Sequence, residues 1–216
     1  MSDPRILVTG FGPFPGAPEN PTEWLIGALG KTKSAQERGE RLCMEVLPVE
    51  YEAAARRLEA IGQEFSPDVA IHFGLAQPAQ GFRLERLARN ANLANRPDNA
   101  GRDAPAPVID EAGADIPSAL PLEQIAERLS AEGLTFEWSD DAGGYLCNYV
   151  FYLSCSPSMC TAMNPAMAGF IHVPLLDLHK RGGQEALHSL SEDDLLRGAL
   201  AIIDCCAEVH ARKVPA

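Results

Sequence analysis

No uninterrupted apolar run in this sequence approaches the roughly 18 residues that a membrane-crossing helix requires. Positive charge is also scarce, since 18 lysines and arginines stand against 30 aspartates and glutamates and leave a net charge of −12. A surface that tracks nucleic-acid phosphates needs clustered cations, and these cations are not clustered. The first residues lack the basic start and the apolar stretch of a signal peptide. We therefore expect a cytoplasmic protein that engages neither a membrane nor nucleic acid.

The sequence also lacks a Cys-x-x-Cys motif, which argues against a zinc ribbon and against a thioredoxin-type redox site. Its six cysteines stand at positions 43, 147, 155, 160, 205 and 206. A cytosolic chain of 216 residues can build a core that needs no disulfides, and it meets a reducing environment. Free thiols are therefore predicted, and the open question is whether one of them is a nucleophile.

The length and the hydrophobic content of 46% predict one globular domain that spans residues 1–216. Short apolar runs at residues 5–10, 42–46 and 68–74 are typical of strands. Apolar residues at helical spacing separate these runs, at residues 21–30 and 51–65. Strands that alternate with helices favour an α/β fold with a mainly parallel, partly mixed sheet covered on both faces.

The rest of the chain continues this pattern after an irregular stretch. Residues 75–121 are rich in proline and glycine and predict loops, with room for a hairpin. Helical spacing resumes at residues 122–132 and 191–210, and the second of these helices begins with a capping box formed by Ser191 and Asp194. Residues 168–173 are a further predicted strand, closed by Pro174.

Cys147 lies at the start of a predicted helix, directly after the glycine-containing residues 141–146 (DAGGYL). The amide groups and the dipole at a helix start favour a thiolate, which is the reactive form, and the same amides can hold an oxyanion. Spacing alone leaves open the alternative that Cys147 is a small buried apolar residue, as free cysteines usually are. The other five cysteines give less support for a nucleophile, because they lie on a strand, in a long helix or beside a turn.

A cysteine nucleophile needs a base, and position favours His172. This histidine ends an apolar strand, and open α/β sheets carry their sites outside the carboxyl ends of the strands. His72, inside another strand, is more typical of a core residue, and the histidines at 179, 188 and 210 are predicted to lie on the surface. Glu85 lies in the stretch FRLERLARN, where spacing alone favours an ordinary surface carboxylate. A carboxylate facing the imidazole would instead fix its tautomer.

Five sequence blocks in a fixed order give a more specific signal than these single residues. They are ILVTGFGPF followed by NPT (residues 6–14 and 20–22), LER with Asn90 (84–86), RPDN (96–99), DAGGYLCN (141–148) and GFIHVP (169–174). Each block is weak by itself, but together they extend from about residue 6 to residue 174. This ordered set resembles the pyroglutamyl peptidase I family of cysteine peptidases, also called pyrrolidone-carboxylate peptidases.

The resemblance implies a three-layer α/β/α fold without metal or organic cofactor, assembled as a homo-oligomer (a tetramer or a dimer). It implies removal of an N-terminal pyroglutamate from peptides by a triad that maps onto Cys147, His172 and Glu85. The family's arginine near the oxyanion maps onto Arg96. The substrate-binding positions that the resemblance implies are Phe11, Phe14, Asn20, Val49 and Leu75.

Two residues depart from the pattern of the family. Pro15 stands where members often have glycine, and Leu75 stands where some carry glutamine. Both are expected near the pocket, so the acceptor specificity stays open. One alternative is a cysteine hydrolase of the same fold that acts on another small amide or lactam. A second alternative is a non-catalytic protein that binds pyroglutamyl groups.

Overall fold

The computed structural model describes residues 3–92, 96–180, 182 and 187–213. Short 3-10 turns occur at Gly39–Arg41 and Asp177–His179. In chain order the strands and α-helices of the described residues are β1 (Ile6–Phe11), α1 (Pro21–Leu29), α2 (Lys33–Arg38), β2 (Leu42–Leu47), α3 (Tyr51–Phe65), β3 (Val69–Leu75), β4 (Phe82–Glu85), β5 (Leu87–Ala88), β6 (Ile116–Pro117), α4 (Leu122–Ala131), β7 (Phe136–Ser139), α5 (Leu146–Cys155), β8 (Met167–Val173), β9 (Leu175–Leu176), β10 (Ser189–Leu190) and α6 (Glu192–Lys213).

The central sheet has the strand order β2-β1-β3-β8-β4-β7. Strands β1, β2, β3 and β8 are parallel to one another, whereas β4 pairs antiparallel with β8 and parallel with β7. The predicted mainly parallel, partly mixed sheet is confirmed. Because β4 is reversed, its first residues lie at the edge of the sheet where β1, β3 and β8 end.

Buried apolar side chains form two clusters, one on each face of the sheet. Helices α1, α4 and α6 contribute to the first cluster, and helices α3 and α5 contribute to the second. Successive strand residues point to opposite faces, so that in β8 Ile171 joins the first cluster and Phe170 the second. The three-layer α/β/α arrangement is therefore confirmed.

Two helices begin where the sequence predicts. Asn20 caps α1, because its Oδ1 accepts the backbone N–H of Thr22 at 3.0 Å, and Pro21 follows in the first helical position. At the start of α6 the backbone N–H of Asp194 donates to Oγ of Ser191 at 3.0 Å. No helix among the described residues is long and apolar enough to span a membrane.

The structure corrects two expectations about the chain. Residues 82–85 belong to the main sheet as β4 instead of to loops, and the hairpin-like pairing within residues 75–121 is the short antiparallel pair of β5 and β6. The surface position predicted for His210 is wrong, since this residue is 8% exposed. His210 follows Ile203 and Cys206 at helical spacing, and it therefore continues the buried stripe of α6.

Candidate active site

A cleft of about 340 Å³ opens at the edge of the sheet where β1, β3 and β8 end. Open α/β sheets carry their binding sites at this edge. Loop residues, strand ends and the start of α5 line the cleft. The lining contains every site residue expected from the sequence except Glu85, namely Phe11, Phe14, Asn20, Val49, Leu75, Arg96, Cys147 and His172.

Cys147 is the second residue of α5 and lines the cleft. Tyr145 precedes the helix, and no side chain of the described residues caps its start. The first amide groups of α5 have no partner within the helix and are therefore available to an anion near the sulfur. Gly143 shapes the approach to the helix with a φ of 80°, which glycine adopts without strain, and its N–H donates to Oδ1 of Asp141 at 3.0 Å.

Glu85 and His172 form a buried pair in which Oε1 of Glu85 lies 2.7 Å from Nδ1 of His172. Glu85 is fully buried, so the surface position that spacing alone favoured is wrong. The reason is the pairing of β4 with β8, which sets Glu85 opposite Phe170 on the face covered by α5. His172 and Cys147 line the same cleft, and the engagement of Nδ1 by Glu85 leaves Nε2 available to the sulfur.

Opposing effects set the charge of His172. Burial lowers the pKa of this imidazole, but the charges of Cys147 and Glu85 and the hydrogen bonds to both outweigh burial and raise the pKa to about 9. At neutral pH the ring is therefore an imidazolium. An imidazolium beside a cysteine is the arrangement that supports a cysteine nucleophile.

Phe170 forms the floor beneath Cys147 and His172. Its ring centroid lies 4.7 Å from that of His172 and 6.3 Å from that of Phe11. A Cβ atom at Gly74 would lie 2.7 Å from the Phe170 ring and 3.0 Å from the sulfur of Cys147. Position 74 therefore has no room for a side chain, and glycine lets the ring and the sulfur approach the backbone of β3.

Arg96 is held at the cleft by aromatic rings. Its guanidinium carbon lies 3.9 Å from the ring centroid of Tyr145 and 5.2 Å from that of Phe14. The hydroxyl of Tyr145 donates to the carbonyl of Pro97 at 3.1 Å, which ties the residue after Arg96 to the start of α5. Stacking on aromatic faces suits a planar guanidinium and leaves its N–H groups free to bind an anion.

The residues expected to bind substrate are of two kinds. Phe11 and Val49 are almost fully buried, and they form an apolar end of the cleft together with Phe14 and Leu75. Asn20 is instead engaged within the fold: besides capping α1, its Nδ2 donates to the Gly12 carbonyl at 3.0 Å. Its contacts hold the loop after β1 against the helix.

The two residues that depart from the family pattern lie in different environments. Leu75 ends β3 and lines the cleft, as expected. Pro15 is exposed on the loop beside Phe14. Of the two departures, Leu75 is the one that changes the surface offered to a ligand.

The other thiols differ from Cys147 in their surroundings. All six cysteines are free, as predicted. Burial is the main cause that raises the pKa of each of the other five, to about 12 for Cys155 and Cys160. These groups therefore remain protonated at neutral pH. Among the described residues, no group of three or more histidine, cysteine, aspartate and glutamate side chains is arranged to hold a metal ion.

His72 lies in the core, as the sequence predicts. It is fully buried in β3, and its Nδ1 lies 2.7 Å from Oγ1 of Thr9. Its Nε2 has no hydrogen-bond partner within the described part of the chain. Burial lowers the pKa of His72 to about 3, so the ring is neutral at physiological pH.

Sequence reasoning missed Arg83, which lines the cleft next to His172. Arg83 is the register partner of His172 across the antiparallel pair of β4 and β8. No local signal identifies it, because its position depends on strands that are distant in the sequence.

A cysteine at a helix start, a histidine beside it and a carboxylate behind the histidine, on an α/β/α scaffold, form an arrangement typical of cysteine-type hydrolases. Comparison with protein families gives a match to pyroglutamyl peptidase over residues 4–209. The pyrrolidone-carboxylate peptidase of Pyrococcus furiosus is 42% identical over 175 residues, which are 80% of this chain and 81% of that protein. Pyrrolidone-carboxylate peptidase 1 of Saccharolobus solfataricus is 30% identical over 194 residues, 89% of each chain.

Solved structures give the same result. The X-ray structure of the pyrrolidone carboxyl peptidase of Pyrococcus furiosus superposes with a TM-score of 0.83 at 36% identity, covering 95% of this chain and 99% of that chain. The E192V mutant of that peptidase also gives a TM-score of 0.83. The chain belongs to the pyroglutamyl peptidase family, whose members are cysteine-type hydrolases.

Proposed function

We propose that this chain hydrolyses the bond after an N-terminal pyroglutamate of peptides, with Cys147 as the nucleophile, His172 as acid and base, and Glu85 as the residue that orients His172. The observation that carries the proposal is the buried hydrogen bond from Glu85 to His172, behind a cleft that His172 and the helix-start residue Cys147 line together. Membership of the pyroglutamyl peptidase family supports the substrate.

In the first half of the reaction, the Cys147 thiolate attacks the carbonyl carbon of the pyroglutamyl residue. The negative charge that develops on the carbonyl oxygen is stabilised by the amides at the start of α5 and by the guanidinium of Arg96. The His172 imidazolium then gives its Nε2 proton to the departing amine, and the C–N bond breaks to leave a thioester on the sulfur.

In the second half, water hydrolyses the thioester. Neutral His172 takes a proton from the attacking water, and the thiolate leaves as free pyroglutamate forms. Glu85 holds Nδ1 during both steps, so that Nε2 stays directed toward the sulfur and the imidazolium is stabilised whenever it forms.

The apolar end of the cleft suits a flat, neutral lactam. Aromatic faces can flank the ring, while backbone groups of the surrounding loops bind its N–H and its carbonyl. This apolar end is formed by Phe11, Phe14, Val49 and Leu75.

The same cleft disfavours an ordinary amino terminus. Within the described lining, Asp141 is the acidic side chain, and it already accepts the Gly143 N–H and pairs with Arg89 at 3.5 Å. An ammonium group that is desolvated without a partner is costly, so a free amino terminus is rejected.

Release of aminomethylcoumarin from pyroglutamyl, prolyl and alanyl amides tests the proposal. We expect hydrolysis of the pyroglutamyl amide and its loss by roughly 10³-fold or more in Cys147→Ser, with little change in melting temperature. Cys43→Ser is a matched control, since Cys43 lies on β2 and is not part of the cleft lining; this variant should remain active.

Other results of this assay would support one of the alternative functions or exclude the proposed nucleophile. Hydrolysis of only the prolyl and alanyl amides would indicate a hydrolase for another small amide. Binding of pyroglutamate without hydrolysis would indicate a non-catalytic protein, and full activity in Cys147→Ser would exclude Cys147 as the nucleophile.

We further propose that the chain forms one domain, acts in the cytoplasm and assembles as a homo-oligomer. The single-domain organisation is supported by α1 and α6, which come from opposite ends of the chain and share one apolar cluster. Six free thiols support a reducing compartment. Light scattering coupled to gel filtration tests the assembly, and a monomer at micromolar concentration would contradict it.

A further inference from the structure

One row of residues crosses four strands at the cleft. Gly74, His172, Arg83 and Glu137 are successive register neighbours on β3, β8, β4 and β7. Register neighbours project to the same face, so these residues stand side by side. The sulfur of Cys147 lies over Gly74. The nucleophile is therefore on one flank of the imidazole, and the guanidinium of Arg83 is on the other.

The order of these residues across the sheet gives the two parts of a bound peptide, before and after the scissile bond, different sides of His172. Phe11 and Leu75, at the ends of β1 and β3, lie on the nucleophile's side of His172 and belong to the apolar end of the cleft. The amine that receives the proton from His172 belongs to the residue after the scissile bond. With the pyroglutamyl ring at the apolar end, that residue would extend to the β4 side of His172, where Arg83 lines the cleft.

Arg83 retains binding capacity in this position. Its Nε lies 2.6 Å from Oε1 of Glu137, and the two side chains are 22% and 27% exposed. Within the described residues, its two Nη groups have no hydrogen-bond partner. A guanidinium carries five N–H donors and can bind a carboxylate with two of them at once. One edge of Arg83 is thus open to a second carboxylate.

We propose that Arg83 binds a carboxylate carried by the residue that follows pyroglutamate, so that the enzyme prefers acidic leaving groups. The inference rests on the proposed pyroglutamyl peptidase activity. The carboxylate is either the side chain of Asp or Glu at that position or the α-carboxylate of a dipeptide's second residue. Glu137 limits the preference, because its negative charge opposes a second carboxylate on the same cation.

Two matched substrate pairs distinguish the two sources of the carboxylate. Pyroglutamyl-Glu-amide and pyroglutamyl-Gln-amide differ in the side-chain charge alone, and pyroglutamyl-Ala and its amide differ in the α-carboxylate alone. We expect the wild-type kcat/KM to favour the acidic member of at least one pair by about two- to fivefold at low ionic strength, as for a partly exposed ion pair. The ratio within each pair is the measurement, so a general change in activity cancels.

Two variants test the residue itself. In Arg83→Gln the ratio should fall to one or below, whereas in Glu137→Gln, which keeps the cation and removes its partner's charge, the ratio should rise. A purely structural role for the ion pair predicts that both variants lower all four rates alike. If Arg83→Gln does not fold, the substrate ratios of Glu137→Gln and of the wild type still test the proposal.

Wild-type ratios at or below one for both pairs would overturn the inference while leaving the peptidase activity in place. Unchanged ratios in both variants would also overturn it. If none of the four pyroglutamyl substrates is cleaved, the proposed function itself fails.

Discussion

The Glu85 carboxylate meets Nδ1 of His172 with Oε1 at 2.7 Å, while Oε2 is buried without a hydrogen-bond partner among the described residues. A buried carboxylate oxygen that lacks a partner is costly unless a positive charge lies close to it. The imidazolium supplies that charge. The two residues are therefore linked by charge as well as by their hydrogen bond.

Glu85→Gln keeps the size of the side chain and removes its charge. We expect kcat/KM for a pyroglutamyl amide to fall by roughly 10²- to 10⁴-fold, because the imidazolium loses stabilisation and its tautomer is no longer fixed. Steady-state kinetics measure the loss, and a melting curve verifies that the variant is folded. A loss of less than about tenfold in a folded variant would argue against this role.

The pH profile of kcat/KM reports the proton on His172. Because the pKa of this residue is raised from 6.5 to about 9, we expect the alkaline limb near pH 9. The stability that this proton contributes is fully present below about pH 6.5 and is lost as the pH rises through about 9. In Glu85→Gln the limb should move to lower pH. A wild-type limb near 6.5 would contradict the assignment.

Gly74→Ala tests the packing of the floor. The new methyl group would press on the Phe170 ring and on the sulfur of Cys147, so we expect a lower kcat and a free energy of unfolding reduced by about 1–3 kcal/mol. Gly27→Ala is the control, because a Cβ atom at Gly27 in α1 meets nothing within 4 Å. It should stabilise the helix by about 0.5–1 kcal/mol and leave kcat unchanged. Equal behaviour of the two variants would refute the steric argument.

His72 makes the free energy of unfolding depend on pH in the acidic range. Below about pH 6.5 the unfolded chain binds a proton that folded His72 does not accept until about pH 3. Stability should therefore fall as the pH decreases through this window, by about 1.4 kcal/mol per pH unit from this residue. We expect His72→Gln to lose about 2 kcal/mol less than the wild type between pH 7 and pH 5. Urea unfolding at the two pH values measures the difference, and identical losses would contradict it.

Cys147 should be the most reactive of the six thiols. It lies in the cleft beside the His172 imidazolium, whereas burial raises the pKa of the other five. Brief treatment with iodoacetamide at pH 7, followed by mass mapping, should label position 147 first. Uniform labelling, or labelling of Cys43 first, would be the contrary result.

The sequence predicts those parts of the fold that local chemistry controls. The start of α1 follows from Asn20 and Pro21, and the start of α6 follows from Ser191 and Asp194. The position of Cys147 at the head of α5 follows from the glycines before it. Each of these features depends on residues within about one helical turn of each other.

Features that depend on distant pairing could not be predicted in the same way. The four residues of β4 include two charges, and they become a strand because β8 and β7 lie on either side. The burial of Glu85 and the place of Arg83 beside His172 follow from this pairing. Helix α2 cannot be predicted from periodicity, because six residues with one buried alanine leave no apolar stripe. Position in the predicted elements indicates Cys147 and His172 as candidates, whereas the roles of Glu85 and Arg96 follow only from resemblance to a family, since spacing alone favours a surface position for Glu85.

The direction of β4 also separates a residue at the mouth of the cleft from the residue that orients His172. Two positions apart on one short strand, Arg83 borders the imidazole at the solvent-facing mouth and Glu85 borders it from the sealed interior. A substitution at the mouth alters the charge that an incoming peptide meets and leaves the interior pair untouched. Single substitutions at the mouth can thus retune which peptides are accepted without disturbing the proton relay beneath them.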